Sequence, residues 1–286
     1  MARLLRSLLF VPGNNIRFLE KAKSLRADVV CFDLEDSVPT DEKKKARNFI
    51  KNALKSRSEY NSEIYVRTNS PESGMIPDDL KEIIQKGIDG VVIPKVNNSN
   101  EIKKIEKTMI GLEKKRKLKP IELVASIEST QGVVNAYDIA SCSKRVAALV
   151  FGVFDLLNDL GIEYTKKSEG AAYSRAKIPV DARAAGKYAI DAIWQDLDDM
   201  TGLEQDSLIA KNLGYVGKSI IHPKQIDIAH TVFVPTTSEI EWAKKVCDAY
   251  NLSKEKKKGA TTVEGKMIDE VHYKRAMSLL NSVARQ

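Results

Sequence analysis

Cysteine is scarce in this chain of 286 residues: Cys31, Cys142 and Cys247 are scattered and odd in number. With no CxxC pair and no Cys/His cluster, neither a disulfide framework nor a zinc site is indicated. Histidine is as rare, and His222, His230 and His272 lack metal-ligand spacing. No run of 18 or more apolar residues occurs, so no membrane span is expected. The opening MARLLRSLLFVPG sets an apolar stretch behind basic residues, but Leu8–Val11 is too short for a signal peptide and no small-residue cleavage site follows. A cytoplasmic protein is expected. The net charge of +7 lies largely in KKRKLK (Lys114–Lys119) and KEKKKG (Lys254–Gly259), without interleaved aromatics or a known module. Nucleic acid is therefore not an expected partner. The basic runs read as solvated helix ends and loops, or as facing an anionic small molecule such as a phosphate-bearing coenzyme.

What the chain has is an apolar content of 43%, enough for a full core, cut into short runs that alternate with amphipathic ones. The runs Leu4–Val11, Asp28–Leu34, Glu63–Arg67, Gly90–Val96, Ile121–Ile127, Val146–Gly152, Ala189–Trp194 and Gly217–His222 read as strands. Being continuous rather than alternating, they suit strands buried on both faces. Helical patterns separate them, with Ser99 a candidate N-cap before EIKKIEKTMIGLEKK. After Gly152 a longer polar loop is expected before the helix near SRAKIPVDARAAG. Eight such units predict an α/β fold, a (β/α)8 TIM barrel over residues 1–232, with a C-terminal helical extension and lid over 233–286. A doubly wound sheet usually closes with fewer units, and no GxGxxG follows the first strand.

Barrel chemistry collects at the C-terminal strand ends. Here these read FVPGNN, FDLEDS, VRTNS, IPKV, SIEST, FGVFDL, WQDLDD and IIHPKQ. Asp33, Glu35, Asp36, Glu128 and Asp155 on one rim would repel one another without a cation. Glu128 and Asp155, from neighbouring strands, look like a pair for a hard divalent ion such as Mg2+; the alternative is two solvated acids. The planar fork of Arg67 suits a carboxylate or a developing oxyanion, or a salt bridge to Asp33 or Glu35. Lys95 is either a Schiff-base lysine or the ion-pair partner of a rim acid. His222 is either a general base or a packed strand-end residue.

Taken together, RSLLFVPGNNIRFLEKA, FDLEDSVPTDEKKKAR, YVRTNS, GVVIPKV, SIESTQGVVNA, FGVFDLLNDLG, GLEQDS, LGYVGKSIIHPKQI and GKMIDEVH resemble the citrate lyase β-subunit-like family, which includes malyl-CoA and citramalyl-CoA lyases of the HpcH/HpaI aldolase superfamily. The stretches run in order from residue 6 to 272. The resemblance implies a lyase that uses Mg2+, with Mn2+ as a substitute, to cleave or form a carbon–carbon bond between an acyl-CoA and a 2-oxo acid. It implies Glu128 and Asp155 as metal ligands, Arg67 on the oxo-acid oxygens, and Glu35 near metal-bound water. It implies Arg6, Arg17 and Lys21 as candidates for the coenzyme A phosphates. Asp269 matches a lid aspartate that serves a neighbouring subunit, so a homo-oligomer, trimer or hexamer, is implied. Two other readings stay open: a metal-dependent aldolase of free hydroxy-oxo acids, and a non-catalytic CoA-binding subunit.

Overall fold

Eight strands, β1 (Ser7–Pro12), β2 (Val29–Asp33), β3 (Glu63–Arg67), β4 (Gly90–Ile93), β5 (Glu122–Ile127), β6 (Val146–Phe151), β7 (Tyr188–Asp191) and β8 (Gly217–Ile220), close into a parallel barrel in sequence order. The computed structural model describes residues 4–166, 169–255 and 259–284. The basic residues 256–258 of the run beginning at Lys254 lie outside the described residues. The strands form because both faces are covered. Leu8, Cys31, Tyr65, Val92, Val124 and Ile190 pack with one another as one cluster, while Leu9, Val30, Phe32 and Ile64 on the other parity join the larger cluster beneath the helices. Side chains alternate along a strand, so two residues beyond Cys31 and Tyr65 the same interior line reaches Asp33 and Arg67.

The helices are α1 (Ile16–Ala22), α2 (Lys43–Lys55), α3 (Ile76–Ile83), α4 (Ser99–Arg116), α5 (Thr130–Val134), α6 (Ala136–Ser141), α7 (Val153–Leu160), α8 (Ala172–Ala184), α9 (Met200–Leu213) and α10 (Ile226–Val232). Several starts are fixed by side-chain caps. Asn15 accepts from the amides of Arg17 and Phe18, Ser129 from Gly132 and Asp199 from Gly202. Asn98, rather than the expected Ser99, caps α4, because its carbonyl oxygen takes the amides of Asn100 and Glu101. Strand β4 stops at Ile93, since Pro94 has no N–H to continue the ladder. Strand β1 begins at Ser7 rather than Leu4.

The largest departure from the sequence reading follows β6, where the expected loop is the helix α7. Gly152 is its N-cap and Gly161, at φ +70°, ends it. Asp155 therefore stands in the first turn of a helix, not on a strand end.

Residues 5–233 form one compact unit, and the described residues of 234–286 with Leu4 form another. The second contains α11 (Thr237–Glu255), a hairpin of β9 (Thr261–Val263) and β10 (Lys266–Ile268), and α12 (Glu270–Val283). Its own core holds Ala243, Val246, Cys247, Val263, Ile268 and Ala276. The hairpin turns on Glu264 and Gly265, both at positive φ, as a tight two-residue connection requires. Among the described residues no helix is long and apolar enough to cross a membrane.

Candidate active site at the barrel mouth

The register of β2 on β3 sets Asp33 beside Arg67. Their side chains meet as a two-pronged pair, Nε to Oδ1 at 2.7 Å and Nη2 to Oδ2 at 2.8 Å. Asp33 is fully buried and also accepts from the amide of Glu35 at 2.8 Å and from the amide and hydroxyl of Ser37 at 3.1 and 2.5 Å. Burial alone would raise its pKa, but the Arg67 guanidinium and these donors hold it below the usual carboxylate range. The turn Leu34–Ser37 is thus wound around one carboxylate. From behind, Lys43 donates to the carbonyls of Leu34 and Glu35, both at 2.7 Å.

Arg67 lies with its guanidinium carbon 4.6 Å from the Phe10 ring centre, a cation–π contact. Its remaining Nη1 is 3.1 Å from Glu35 Oε2. Glu35 is buried, and Lys95 Nζ stands 3.1 Å from its Oε1. Neither contact has hydrogen-bond geometry, so each Glu35 oxygen is held by an ion pair alone. Burial, against the pull of Arg67, pushes the Glu35 carboxyl up to about 7. The Lys95 ammonium also faces Asp36 and Asp155, each at 3.3 Å. Its backbone is left-handed, φ +52°, just after Pro94. Burial works against its charge, but Glu35, Asp36 and Asp155 outweigh that and hold it above the ordinary lysine range. Of the two readings of Lys95, the ion-pair partner is the one the geometry matches; a Schiff-base nucleophile needs a neutral amine.

Glu128 follows β5 directly and is 6% exposed, with Oε2 buried and unpartnered. Burial first, then the nearby charge of Glu35, push its carboxyl up to about 8 despite Arg67; Asp155 adds to the rise. Gly152 leaves room for it. A β-carbon there would stand 2.4 Å from Glu128 Cγ, so this glycine is required by close approach. The loop after Glu128 is pinned by Asp159 of α7, whose Oδ2 accepts from the amide and hydroxyl of Thr130, both at 2.7 Å. One helix therefore carries Asp155 and braces the turn behind Glu128.

These groups open onto a cavity of about 470 Å3 lined by Phe10, Asp33, Arg67, Glu128, Asp155 and Ser219, among others. Among the described residues no group of three or more His, Cys, Asp or Glu has a metal-site arrangement. A cation here would take two protein carboxylates and complete its shell with water or substrate oxygens, the habit of Mg2+. The donors fit: they are all oxygen, one is buried and unpartnered, and burial first, with neighbouring acids adding to it, holds the Glu35 and Glu128 carboxyls above their ordinary range.

The other expected residues are placed as follows. Arg17 and Lys21 are exposed on α1, and Lys21 borders a smaller cavity of about 210 Å3 that shares Phe10, Pro12 and Ile221 with the main one. Arg6 is not brought to the rim. It precedes β1, roughly 20 Å along the strand from Pro12, and is bound to Asp28 through Nε at 2.9 Å, Nη2 at 2.6 Å and its amide at 2.8 Å. A phosphate contact at the mouth is closed to it. His222 caps a short turn, its Nδ1 accepting from the Lys224 amide at 3.1 Å; that is the strand-end reading rather than the general base. In the C-terminal unit Asp269 caps α12, accepting from the amides of Val271 and His272 and meeting His272 Nδ1 at 2.6 Å. The His272 contact holds this exposed carboxyl below its ordinary range. Sequence reasoning missed Gly152 as a site residue, although a glycine between strand and helix beside an acid was a visible cue. It also missed Phe10 and Ser219, whose only signal is strand parity.

Fold and mouth define a (β/α)8 barrel of the carbon–carbon lyase and aldolase type. The chain belongs to the HpcH/HpaI aldolase/citrate lyase family, whose profile matches residues 6–223. It is 34% identical to the citrate lyase subunit beta of Leuconostoc mesenteroides subsp. cremoris, covering 98% of this chain and 94% of that one. It is 32% identical to the mitochondrial citramalyl-CoA lyase of Rattus norvegicus, covering 96% and 85%. Among solved structures it is similar to the CitE protein of Mycobacterium tuberculosis in complex with magnesium, acetoacetate and coenzyme A, with TM-score 0.81, 26% identity and 98% of each chain covered.

Proposed function

We propose that this chain is a Mg2+-dependent lyase that cleaves a 3-hydroxy-3-carboxyacyl-type CoA thioester, such as malyl-, citramalyl- or citryl-CoA, into acetyl- or propionyl-CoA and a 2-oxo acid, reversibly. The observation that carries this is Glu128, a buried carboxylate with an unpartnered oxygen, sharing a cavity with Asp155 and Arg67. The CitE complex holding magnesium, acetoacetate and coenzyme A supports the choice of cation and coenzyme.

Glu128 and Asp155 would hold the ion. When bound, Mg2+ supplies a Lewis acid and template for the hydroxyl and carboxylate oxygens of the substrate. In the cleavage the hydroxyl gives its proton to water at the open mouth and its oxygen becomes the oxo group of the departing acid. The electrons of the broken carbon–carbon bond pass to the thioester α-carbon, which takes up a proton. Arg67 presents fixed positive charge where the acid's oxygens become more negative, already oriented by Asp33 and Phe10. Glu35 would accept a hydrogen bond from a water beside the ion. Asp269 is the proposed carrier of the α-carbon proton, offered from a neighbouring subunit of a trimer or hexamer. Its carboxylate is a weak base while exposed, and closure over the site would raise its pKa by desolvation. Arg17 and Lys21 are proposed for the coenzyme phosphates.

The test is thioester cleavage, followed as acetyl- or propionyl-CoA release, alongside free hydroxy-oxo acids. Glu128→Ala and Asp155→Ala should abolish release and Mg2+ binding while circular dichroism stays unchanged. Full activity in chelator, or turnover of free hydroxy-oxo acids alone, would overturn the reading.

A further inference from the structure

We propose that Lys95 is a positioning residue: its ammonium holds Asp155 in place among the mouth acids until Mg2+ enters, and then gives way to the ion. The role holds only if Glu128 and Asp155 bind Mg2+, as proposed above.

The ammonium stands where a cation would bridge two elements. It is 3.1 Å from Glu35 Oε1 and 3.3 Å from Asp36 Oδ1, both in the turn after β2, and 3.3 Å from Asp155 Oδ1 on α7. The contact with Asp36 is also a hydrogen bond; Glu35 and Asp155 meet it as ion pairs. Among the described residues it is the one cation paired with Asp155. Its charge is also felt at Glu128, where with Arg67 it opposes the rise caused by burial. Lys95 therefore acts on both carboxylates proposed for the ion. The backbone is set for this. Lys95 is held at φ +52°, a conformation that few side chains adopt, and the next amide, of Val96, donates to the Ser126 carbonyl at 3.1 Å, two residues before Glu128. The two basic side chains at the mouth differ in freedom. Arg67 is fixed to Asp33 through two nitrogens. The Lys95 side chain is 32% exposed, and its flexible stem can carry the charge out to water while the acids stay. A divalent ion among the same carboxylates attracts them with twice the charge and repels the ammonium at close range. Lys95 thus keeps the acids from repelling one another before the ion arrives, and lowers the affinity of the ion that replaces it.

The test uses the full-length protein, stripped with chelator and titrated with Mg2+ by calorimetry, beside Lys95→Met and Lys95→Gly. Methionine removes the charge and keeps the length; glycine removes the charge and accepts the positive φ without strain. Both variants should bind Mg2+ about tenfold or more tighter than the unaltered protein. Chelator-treated Lys95→Met should melt at a lower temperature than the unaltered protein and gain more from added Mg2+. A residue with only a structural role would not tighten Mg2+ binding when removed. Mg2+ affinity that is unchanged or weaker in both variants overturns the inference and leaves the metal reading standing. Tighter binding with no change in the melting temperature of chelator-treated Lys95→Met overturns the positioning of Asp155. An unaltered protein that binds no Mg2+ overturns the metal reading, and this inference with it.

Discussion

Two clusters of buried charge lie in the same barrel, one behind β7 and β8 and one at the mouth. Behind the strands, Arg175 and Lys218 meet Asp191 and Asp206 in four ion pairs of 2.5–2.7 Å, two cations to two carboxylates. No oxygen of that cluster is left unsatisfied. At the mouth, Asp33, Glu35, Asp36, Glu128 and Asp155 stand against Arg67, Lys95 and, from behind, Lys43. Three buried oxygens of Glu35 and Glu128 have no hydrogen-bond partner. A balanced cluster is complete in itself and serves the fold. An unbalanced one has carboxylate oxygens to spare for a cation, and that difference, more than burial, marks the mouth as the candidate site.

The comparison is broken most severely from the balanced side. Asp191→Ala removes the carboxylate shared by Arg175 and Lys218 and leaves Lys218, which is fully buried, short of a partner. Unfolding in urea should show a loss of about 3–5 kcal/mol, with Mg2+ affinity of the folded fraction unchanged. Glu128→Gln is the converse. It should weaken Mg2+ binding on the order of a hundredfold or more by calorimetry while costing little stability, because the amide relieves an excess of like charge. Gly152→Ala lies between the two. The new methyl would overlap Glu128 Cγ, costing about 1–3 kcal/mol by overpacking and displacing the carboxylate, so melting temperature and Mg2+ affinity should fall together. Stability lost with affinity intact would show that the carboxylate is not held by that contact.

The barrel was legible because eight apolar runs without alternation leave few other folds, and Arg67 and Glu128 were legible because each closes such a run. Asp155 was visible as a residue but not as part of a helix. The stretch GVFDLLNDLG begins at a glycine and carries polar residues, and only the β6 ladder running into Gly152 shows where the helix starts. Lys95 could not be settled from type alone. Its pairing depends on a left-handed backbone after Pro94 that brings the ammonium among three acids. Arg6 shares a motif with β1 yet lies before it, at the far end of the strand, where Asp28 takes its fork. Strand direction, not sequence proximity, decides which charges reach the mouth.

The smallest predicted effect sharpens the contrast through pH. Glu35 and Glu128 titrate near about 7 and about 8 in the folded, metal-free protein, while unfolded glutamates release their protons near about 4.3. Between those limits the folded chain binds more protons than the unfolded one. Stability of the metal-free protein should therefore fall as pH rises through this window and level off above about 8. Mg2+ must displace the proton of Glu128, so its affinity should rise over the same range, by close to tenfold per unit while one proton is released, and flatten beyond about 8. In Glu128→Gln both slopes should shrink to the share contributed by Glu35. The cluster behind β7 and β8 predicts the opposite trend, since Asp206 is held below the usual range by Lys218 and Arg175 in spite of its burial; its stabilisation is present above the ordinary carboxylate range and is lost only as pH falls through the lowered value. Melting curves from about pH 4 to about pH 9, with and without Mg2+, separate the two. A Mg2+ affinity that is flat between about pH 6 and about pH 8 would mean that Glu128 is already ionised in the metal-free mouth, and that the imbalance between the clusters is smaller than their geometry indicates.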